Sequence, residues 1–412
     1  MLNRNTIVTT LSYGNGISCE LDAGRITHLR VSPEAASGQM HANLDVISEM
    51  RAALAEPMDY PPLSDATVPG DKAVIALAQG VVCPLEVVEG AFLALRDAGV
   101  ESEFISVIVP KNFAREDQLR QLLKSRHSED CLLLKHDPDD TNATAMIGVT
   151  RNGQPIRINR LLSDADVVLS IGSSSEDTSS SFNGLFPRFS DRETINRVEA
   201  PLATEDSSLL QERQQEILES GWLLGVGLVV QIIPGLGDKV AQILAGETKK
   251  VFAESERIYR ELWSCPTAEK ADLVIATLTG DASEQTWQNL ARVLRAASPL
   301  LSEGGSIAIC SEIDQLAGQS FQAFVDHEDY DVISREIVRD QHGDSGAAWQ
   351  VCQALRRGSV YLLSHLPDAW VESLGITPIA IDQELDRLAE THRHTIVLED
   401  AQRLLPIEYD NA

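Results

Sequence analysis

Cysteine is scarce in this chain and never occurs in closely spaced pairs. The six cysteines stand singly, at positions 19, 83, 131, 265, 310 and 352. Disulfide frameworks and zinc knuckles need paired or clustered cysteines, so neither is predicted. Isolated cysteines in apolar segments pack as small hydrophobes, which fits a reducing compartment. We therefore expect a cytoplasmic protein.

The chain also has few positively charged residues and no long apolar run. The 412 residues hold 34 Lys and Arg against 62 Asp and Glu, for a formal net charge of -28. A phosphate backbone would be repelled, which excludes nucleic acid as a partner. The most apolar stretch, residues 221–235, contains Gln231 and Pro234 and is too short to span a bilayer. The N-terminal residues lack the apolar core of a signal peptide, so no membrane association is expected.

What the chain does contain is a regular alternation of apolar runs and amphipathic segments, which predicts parallel α/β sheets. The predicted strands cover residues 73–77, 104–109, 131–134, 166–171, 271–277, 306–310, 359–363 and 395–398. A chain of this length exceeds one compact core. We predict an α/β protein of two α/β domains, 1–264 and 265–412, with mostly parallel sheets and an interdomain cleft. Ligands of such folds bind at domain interfaces or at the carboxyl ends of strands.

Two glycine-containing turns are interpreted from their neighbours. Asn152-Gly153, between Thr150 and Pro155, predicts a type I′ hairpin. Residues 234–238 (PGLGD) follow an apolar strand and precede a helical pattern. They lack the complete G-x-G-x-x-G of a dinucleotide site, so a tight strand-to-helix turn is the preferred interpretation.

The densest titratable cluster is His136 with Asp137, Asp139 and Asp140. A histidine beside carboxylates can be held in one tautomer and used as a base or a ligand. A solvated acidic turn shaped by Pro138 explains the same residues. No metal-ligand spacing such as H-E-x-x-H accompanies them.

Other polar side chains follow predicted strands, where a loop could present them to a cleft. Lys111 is one, with a solvated residue at a helix start as the alternative. Glu176 and Asp177 lie in the hydroxyl-rich segment SSSEDTSSS. Such a loop could hold a phosphate or carboxylate, but the two acidic residues oppose this. Trp287 and Gln288 begin a helix in the C-terminal half and could line a pocket, with core packing as the alternative for the tryptophan.

Taken together, these segments resemble the nickel-dependent lactate racemase family over most of the chain. The stretches that carry the resemblance occur in the family's order: SYGNG, DAGV, KHDPDD, IGVTRNGQPIRINR, DADVVLSIG, AGET and EGGSIAICSE. Residues 136–172 are its most specific part. The resemblance implies a two-domain α/β racemase with its site in the interdomain cleft. It also implies a nickel pincer nucleotide attached to a lysine, a histidine that binds the metal, and a second histidine that works at the 2-hydroxy acid carbon.

The cofactor-attachment motif of the family departs from its pattern here. G-F-S-G-G-x-K reads SFNGLFP at residues 181–187, so Pro187 stands where the lysine is expected. Proline has no amine to acylate. The metal-binding histidine corresponds to Glu176 and Asp177, and carboxylates are harder ligands that suit a sulfur-rich nickel centre poorly.

The remaining motifs depart as well. Lys111 corresponds to the catalytic histidine of G-T-H-R, and a further histidine falls near Glu199. The phosphate-contacting D-x-T-R-P-x-P reads AQGVVCP at residues 78–84, which lacks both the aspartate and the arginine. The family's Y-Q-x-x-K reads WQNLA, which retains Gln288 and loses the lysine.

Our hypothesis is a lactate-racemase-like protein that keeps the fold but has lost nickel pincer binding and 2-hydroxy acid racemisation. No cofactor is expected, and the protein would be a non-catalytic binding or regulatory protein, a pseudoenzyme. Its partner would be a small carboxylate or hydroxy acid, or an active relative.

The alternative is a divergent isomerase, racemase or epimerase of a small hydroxy acid, with an acid/base site rebuilt in the same cleft. Lys111 beside a carboxylate would titrate near neutrality if it were buried. This hypothesis requires convergence of the catalytic candidates Lys111, His136 and Asp137 with the cleft residues Glu176, Asp177, Trp287 and Gln288. A third possibility retains racemase activity with a cofactor held non-covalently. Filling of the cleft by Phe182, Phe186 and Phe189 would favour a structural role.

Overall fold

A computed structural model describes residues 8–22, 26–29, 44–126, 131–175, 182–199, 207–266, 270–340, 342–380 and 382–407. In chain order the strands of this part are β1 Val8–Tyr13, β2 Ile17–Asp22, β3 Ile26–Leu29, β4 Ala73–Leu77, β5 Ile105–Val109, β6 Leu133–Lys135, β7 Thr144–Val149, β8 Pro155–Asn159, β9 Val167–Ser173, β10 Leu228–Pro234, β11 Val240–Glu247, β12 Ser264–Pro266, β13 Ala271–Thr277, β14 Leu301–Cys310, β15 Ser359–Leu363, β16 Thr377–Ile379, β17 Thr395–Leu398 and β18 Leu405–Ile407.

The α-helices are α1 Val46–Ala55, α2 Leu63–Ala66, α3 Pro84–Asp97, α4 Glu116–Arg126, α5 Arg160–Ser163, α6 Arg192–Glu199, α7 Ser207–Leu223, α8 Thr248–Trp263, α9 Trp287–Ala297, α10 Gln322–Asp326, α11 Tyr330–Asp340, α12 Ser345–Arg357, α13 Asp368–Ser373 and α14 Asp382–Thr391. Among these, none is long and apolar enough to cross a bilayer. The six cysteines are all free thiols.

The described parts of residues 35–199 and 204–261 form one compact unit, here called the central unit. Its six-stranded sheet has the order β11-β10-β9-β4-β5-β6. Five of these strands are parallel, and β11 is an antiparallel edge. Strand β4 (AVIAL) is buried at every position, as expected for a parallel strand covered on both faces. The carboxyl ends of β4, β5, β6, β9 and β10 therefore meet at one edge, here called the carboxyl edge.

The remaining described residues, from 1–34 and 262–412, form the C-terminal unit. Its six-stranded sheet has the order β16-β15-β14-β13-β17-β3, and all neighbours are parallel. The α/β class with mostly parallel sheets is thus confirmed. The units differ from the predicted division at 264, because the described residues of 1–34 belong with 262–412. Within this unit β3 pairs with β17 through Ile26 and Thr395. The pairing of strands so far apart in sequence leaves no local signal.

The predicted hairpin at Asn152-Gly153 forms, but its turn type was wrong. Strands β7 and β8 pair antiparallel, and the N–H of Gly153 donates to the Thr150 carbonyl at 2.9 Å. Gly153 has a φ of +79°, whereas Asn152 does not take a positive φ. A type I′ turn needs positive φ at both central residues. The loop is instead a turn closed by one left-handed glycine.

The interpretation of residues 234–238 as a strand-to-helix turn was also wrong. They connect β10 to β11 in an antiparallel hairpin, which the N–H of Gly235 closes by donating to the Lys239 carbonyl at 2.8 Å. Helix α8 begins only at Thr248. The short apolar run VAQILAGE is compatible with either period, so spacing alone could not separate strand from helix.

Candidate functional site

His136 follows β6 at the carboxyl edge but is buried, with 1% of its surface exposed. Its Nε2 lies 2.8 Å from the Ser190 carbonyl oxygen, and its Nδ1 lies 3.0 Å from the Asn159 amide nitrogen. A carbonyl can only accept and an amide N–H donates, so the ring is neutral with its proton on Nε2. Burial lowers the pKa of His136 accordingly. Both ring nitrogens are therefore engaged in holding the fold.

We expect this histidine to make the central unit sensitive to acid. The folded-state pKa lies below the ordinary 6.5 of the unfolded chain, so the stabilisation is fully present above 6.5 and is lost as the pH falls towards the folded value. Urea unfolding at neutral and mildly acidic pH measures the change in the free energy of unfolding. One titrating group changes this free energy by up to about 1.4 kcal/mol per pH unit.

A pair of variants separates His136 from the other titrating groups. His136→Gln should lose the acid-dependent part of the stability change, whereas His365→Gln, at an exposed position, should retain it. An unchanged pH slope in His136→Gln would contradict the neutral, buried assignment.

Lys111 and Asp137 do come together at the carboxyl edge. Lys111 Nζ lies 2.8 Å from Asp137 Oδ1 and 3.3 Å from Asp139 Oδ2. Arg192, which begins α6, binds Asp139 through Nε and Nη2, both at 3.0 Å. Two cations thus meet two carboxylates, each about half exposed. We call these four residues the ion network.

The ion network keeps its members charged. The hydrogen bond to Asp137 raises the pKa of Lys111, and that of Asp137 is lowered by the same contact. Arg192 lowers the pKa of Asp139 to about 2. A lysine with a raised pKa stays protonated at neutral pH and cannot accept a proton. The geometry therefore suits positioning of the loop better than acid/base chemistry.

The other predicted site residues are Glu176, Asp177, Trp287 and Gln288. Glu176 and Asp177 fall outside the described residues. Trp287 belongs to the C-terminal unit, where it is 5% exposed and packs against the rings of Phe321 and Trp370 at 4.7 and 5.5 Å. Its indole N–H donates to a backbone carbonyl at 2.9 Å. Gln288, next to it, is partly exposed.

Residues 182–190 pack into the central unit beside the carboxyl edge. Phe182, Phe186 and Phe189 are 3%, 0% and 0% exposed. The Phe189 ring lies 5.7 Å from that of His136, and the Phe182 ring meets Phe252 edge-on at 6.0 Å. We call this stretch the aromatic segment. All three rings are buried, and two of them contact rings of the central unit outside the segment.

A buried polar network, which the sequence interpretation missed, fastens the aromatic segment to the sheet. The Asn183 amide donates to the Ser170 carbonyl at 2.9 Å, to the Ser170 hydroxyl at 2.6 Å and to the Val230 carbonyl at 3.3 Å. Gln231 donates to the Asn183 amide oxygen, and Ser174 donates to Gln231 at 2.9 Å. The available signal was Gln231 itself, a polar residue inside an apolar strand, which needs a partner when buried.

The chain was compared with protein-family models, curated proteins and solved structures. Residues 16–195 match the model of the lactate racemase N-terminal domain. The lactate racemase apoprotein from Thermoanaerobacterium thermosaccharolyticum is similar in fold, with a TM-score of 0.71 and 17% identity over 98% of this chain and 100% of that one. A Thermotoga maritima protein from a structural genomics consortium is also similar in fold. Its TM-score is 0.66, with 11% identity over 90% of this chain and 99% of that one. No curated protein matches. The likeness to a lactate racemase N-terminal domain thus covers residues 16–195, and the two solved structures share the fold of nearly the whole chain.

Proposed function

We propose that this chain is a lactate-racemase-like binding or regulatory protein that carries no nickel pincer cofactor and does not racemise 2-hydroxy acids. The observation that supports this best is the aromatic segment, which spans the positions of the family's attachment motif and is packed into the core of the central unit. A cofactor attached there would need an exposed amine in an open site. The chain instead offers buried phenylalanine rings.

The residues around the attachment position do not fit the cofactor. Pro187 has no amine, and its neighbour Arg188 pairs with Glu199 at 2.8 Å. An arginine stays protonated at neutral pH and is not a nucleophile. Within the described ranges, no three His, Cys, Asp or Glu side chains come together as metal ligands.

The loop at the position of the family's phosphate-contacting motif is equally unsuited. Residues 78–83 (AQGVVC) contain no charged side chain, and Val81 and Val82 are 7% and 5% exposed. Cys83, in a left-handed conformation, donates its thiol to the Asp238 carbonyl at 3.0 Å. An anionic phosphate would find buried apolar side chains rather than the cations that bind it.

The divergent-enzyme alternative rests on the contact between Lys111 and Asp137. The raised pKa of Lys111 opposes its use as a base, and the buried ring of His136 has no nitrogen left for substrate. A small carboxylate or hydroxy acid bound without turnover, or an active relative, remains the proposed partner. The cytoplasmic location stays a prediction from the isolated cysteines.

The test is to produce the full chain together with the enzymes that build the cofactor, with an active lactate racemase treated in parallel. Metal analysis should find nickel far below one equivalent, and the intact mass should equal that of the unmodified 45.0 kDa chain. Incubation with either lactate enantiomer should leave its optical purity unchanged. Stoichiometric nickel would contradict the loss of the cofactor. Turnover of any 2-hydroxy acid without nickel would favour the divergent enzyme.

A further inference from the structure

The chain contains three Asn-Gly pairs, at residues 15–16, 152–153 and 183–184. Asparagine is one of the thermolabile residues. A glycine after it leaves the next backbone nitrogen unhindered, because glycine has no Cβ. Asn-Gly pairs are therefore the places in a chain where spontaneous deamidation is fastest. The three pairs lie in different environments, so the structure determines which of them reacts in the folded protein.

Deamidation needs a mobile asparagine amide and a free backbone N–H on the residue that follows. The backbone nitrogen loses its proton and attacks the side-chain amide carbon, so that a new C–N bond forms and ammonia leaves. The product is a succinimide ring. Water then opens this ring at either of its carbonyls and leaves aspartate or isoaspartate. Hydrogen bonds that fix the amide, or that hold the attacking N–H, slow the first step.

Hydrogen bonds hold back two of the three pairs. Asn183 is 4% exposed. Its amide nitrogen donates to three acceptors and its amide oxygen accepts from Gln231, so the side chain is not free to turn towards the next nitrogen. Asn152 is exposed, but the N–H of Gly153 donates to the Thr150 carbonyl at 2.9 Å. The attacking nitrogen of that pair therefore keeps its proton more firmly.

Asn15 meets neither obstacle. It lies in the turn of residues 14–16 that joins β1 to β2, here called the β1–β2 turn, and both Asn15 and Gly16 are exposed. Among the described residues, no backbone carbonyl accepts a hydrogen bond from the Gly16 N–H. The amide of Asn15 and the nitrogen that attacks it are thus both available without unfolding.

The product would lie against a glutamate of the same unit. The Asn15 N–H donates to Glu312 Oε2 at 2.6 Å, and a methyl group added at Gly14 would overlap the Glu312 carboxylate. Gly14 is itself fixed to the residues after β13, because its N–H donates to the Leu278 carbonyl and its carbonyl accepts from the Gly280 N–H, both at 2.9 Å. The β1–β2 turn is therefore close-packed on the side of Glu312.

We propose that Asn15 is a site of spontaneous deamidation in the folded protein, and that its product loosens the β1–β2 turn from Glu312. Aspartate at this position adds a second carboxylate beside the first, and like charges at short distance repel. Isoaspartate also lengthens the backbone of a turn that is fixed at Gly14. This inference does not depend on the loss of the cofactor.

Ageing of the full chain at mildly alkaline pH, followed by digestion and mass spectrometry, tests the site. Each conversion makes a peptide about 1 Da heavier. Asn15 should convert at least roughly tenfold faster than Asn183, since reaction at Asn183 waits for the aromatic segment to open. Asn152 should react at an intermediate rate. Asn15 converting no faster than Asn152 or Asn183 in the folded protein would overturn the proposal.

Ageing in urea is the matched control for the sequence. All three asparagines precede a glycine, so they should convert at similar rates once the fold is removed. If the order of rates found in the folded protein persisted in urea, it would come from the sequence and the structural argument would be wrong.

Hydrogen exchange tests the effect on the turn. Asn15→Asp supplies the aspartate product without ageing and should raise the exchange of peptides from 8–22. High salt should reduce this increase, because it screens the repulsion from Glu312. Asn152→Asp is the control, since it makes the same change in an exposed turn of the central unit and should leave 8–22 unchanged. Equal exchange of 8–22 in the two variants would contradict the loosening.

Discussion

Replacement of Phe189 by alanine is expected to lower the free energy of unfolding of the central unit by about 3–5 kcal/mol. The ring is fully buried and packs against His136. Its deletion leaves a cavity between the aromatic segment and the sheet, because the surrounding backbone is tied down. The Phe189 N–H donates to the Leu185 carbonyl at 2.8 Å, and its carbonyl accepts from the Asn159 N–H at 2.8 Å. Urea denaturation of the full chain measures the loss.

Phe113→Ala provides the comparison, since Phe113 is a partly buried phenylalanine against the core of the same unit. Its loss should cost less than half as much, because solvent already reaches the ring. Hydrogen exchange of peptides from 182–190 should rise in Phe189→Ala only. If the two variants unfold alike, the aromatic segment is not part of the core, and the main support for the proposed function falls with it.

The sequence was most informative about buried parallel strands. The predicted ranges 73–77, 271–277, 359–363 and 395–398 coincide with β4, β13, β15 and β17. Strands covered on both faces are continuous apolar runs, which a sequence displays directly. The antiparallel hairpin of β10 and β11 was missed because its second strand, VAQILAGE, is a short apolar run whose spacing is compatible with either a strand or a helix. The pairing of β3 with β17 joins segments that no local pattern connects.

In the candidate site, only the contacts between residues that follow adjacent parallel strands could be predicted from the sequence. Lys111 follows β5 and Asp137 follows β6, and these strands are adjacent and parallel, so their meeting follows from topology. The inward position of His136 does not follow from the strand order. It depends on Ser190 and Asn159, which lie 54 and 23 residues away. For Trp287, the sequence allowed either a position in a pocket wall or a position in the core. The surrounding rings of Phe321 and Trp370 show that it is in the core.

Replacement of Asn183 by glycine is expected to destabilise the central unit by about 2–4 kcal/mol. Asn183 has a φ of +49°, a conformation that glycine adopts freely, so the substitution removes the side chain without straining the backbone. The amide of Gln231 and the hydroxyl of Ser170 would then lose a partner at positions 3% and 0% exposed. Each buried polar group left without a partner costs about 1–3 kcal/mol.

Asp59→Gly is the control that separates the loss of the buried hydrogen bonds from the backbone entropy that any glycine adds to the unfolded chain. Asp59 has nearly the same φ, +48°, but its side chain is 66% exposed. We expect this control to cost at most about 1 kcal/mol, the entropic effect of glycine alone. Urea unfolding of the two variants gives the difference, and equal losses would show that the polar network contributes nothing to stability.

The same substitution also tests what attaches the aromatic segment to the sheet. The polar network links β9 and β10 to the start of the aromatic segment, so Asn183→Gly should raise hydrogen exchange at 182–190 before the sheet itself unfolds. Phe189→Ala weakens the packing of this segment, whereas Asn183→Gly releases its attachment to the sheet. If both variants expose the segment and neither gains nickel, burial of the segment is not what prevents cofactor binding. The missing lysine and histidines would then account for the loss by themselves.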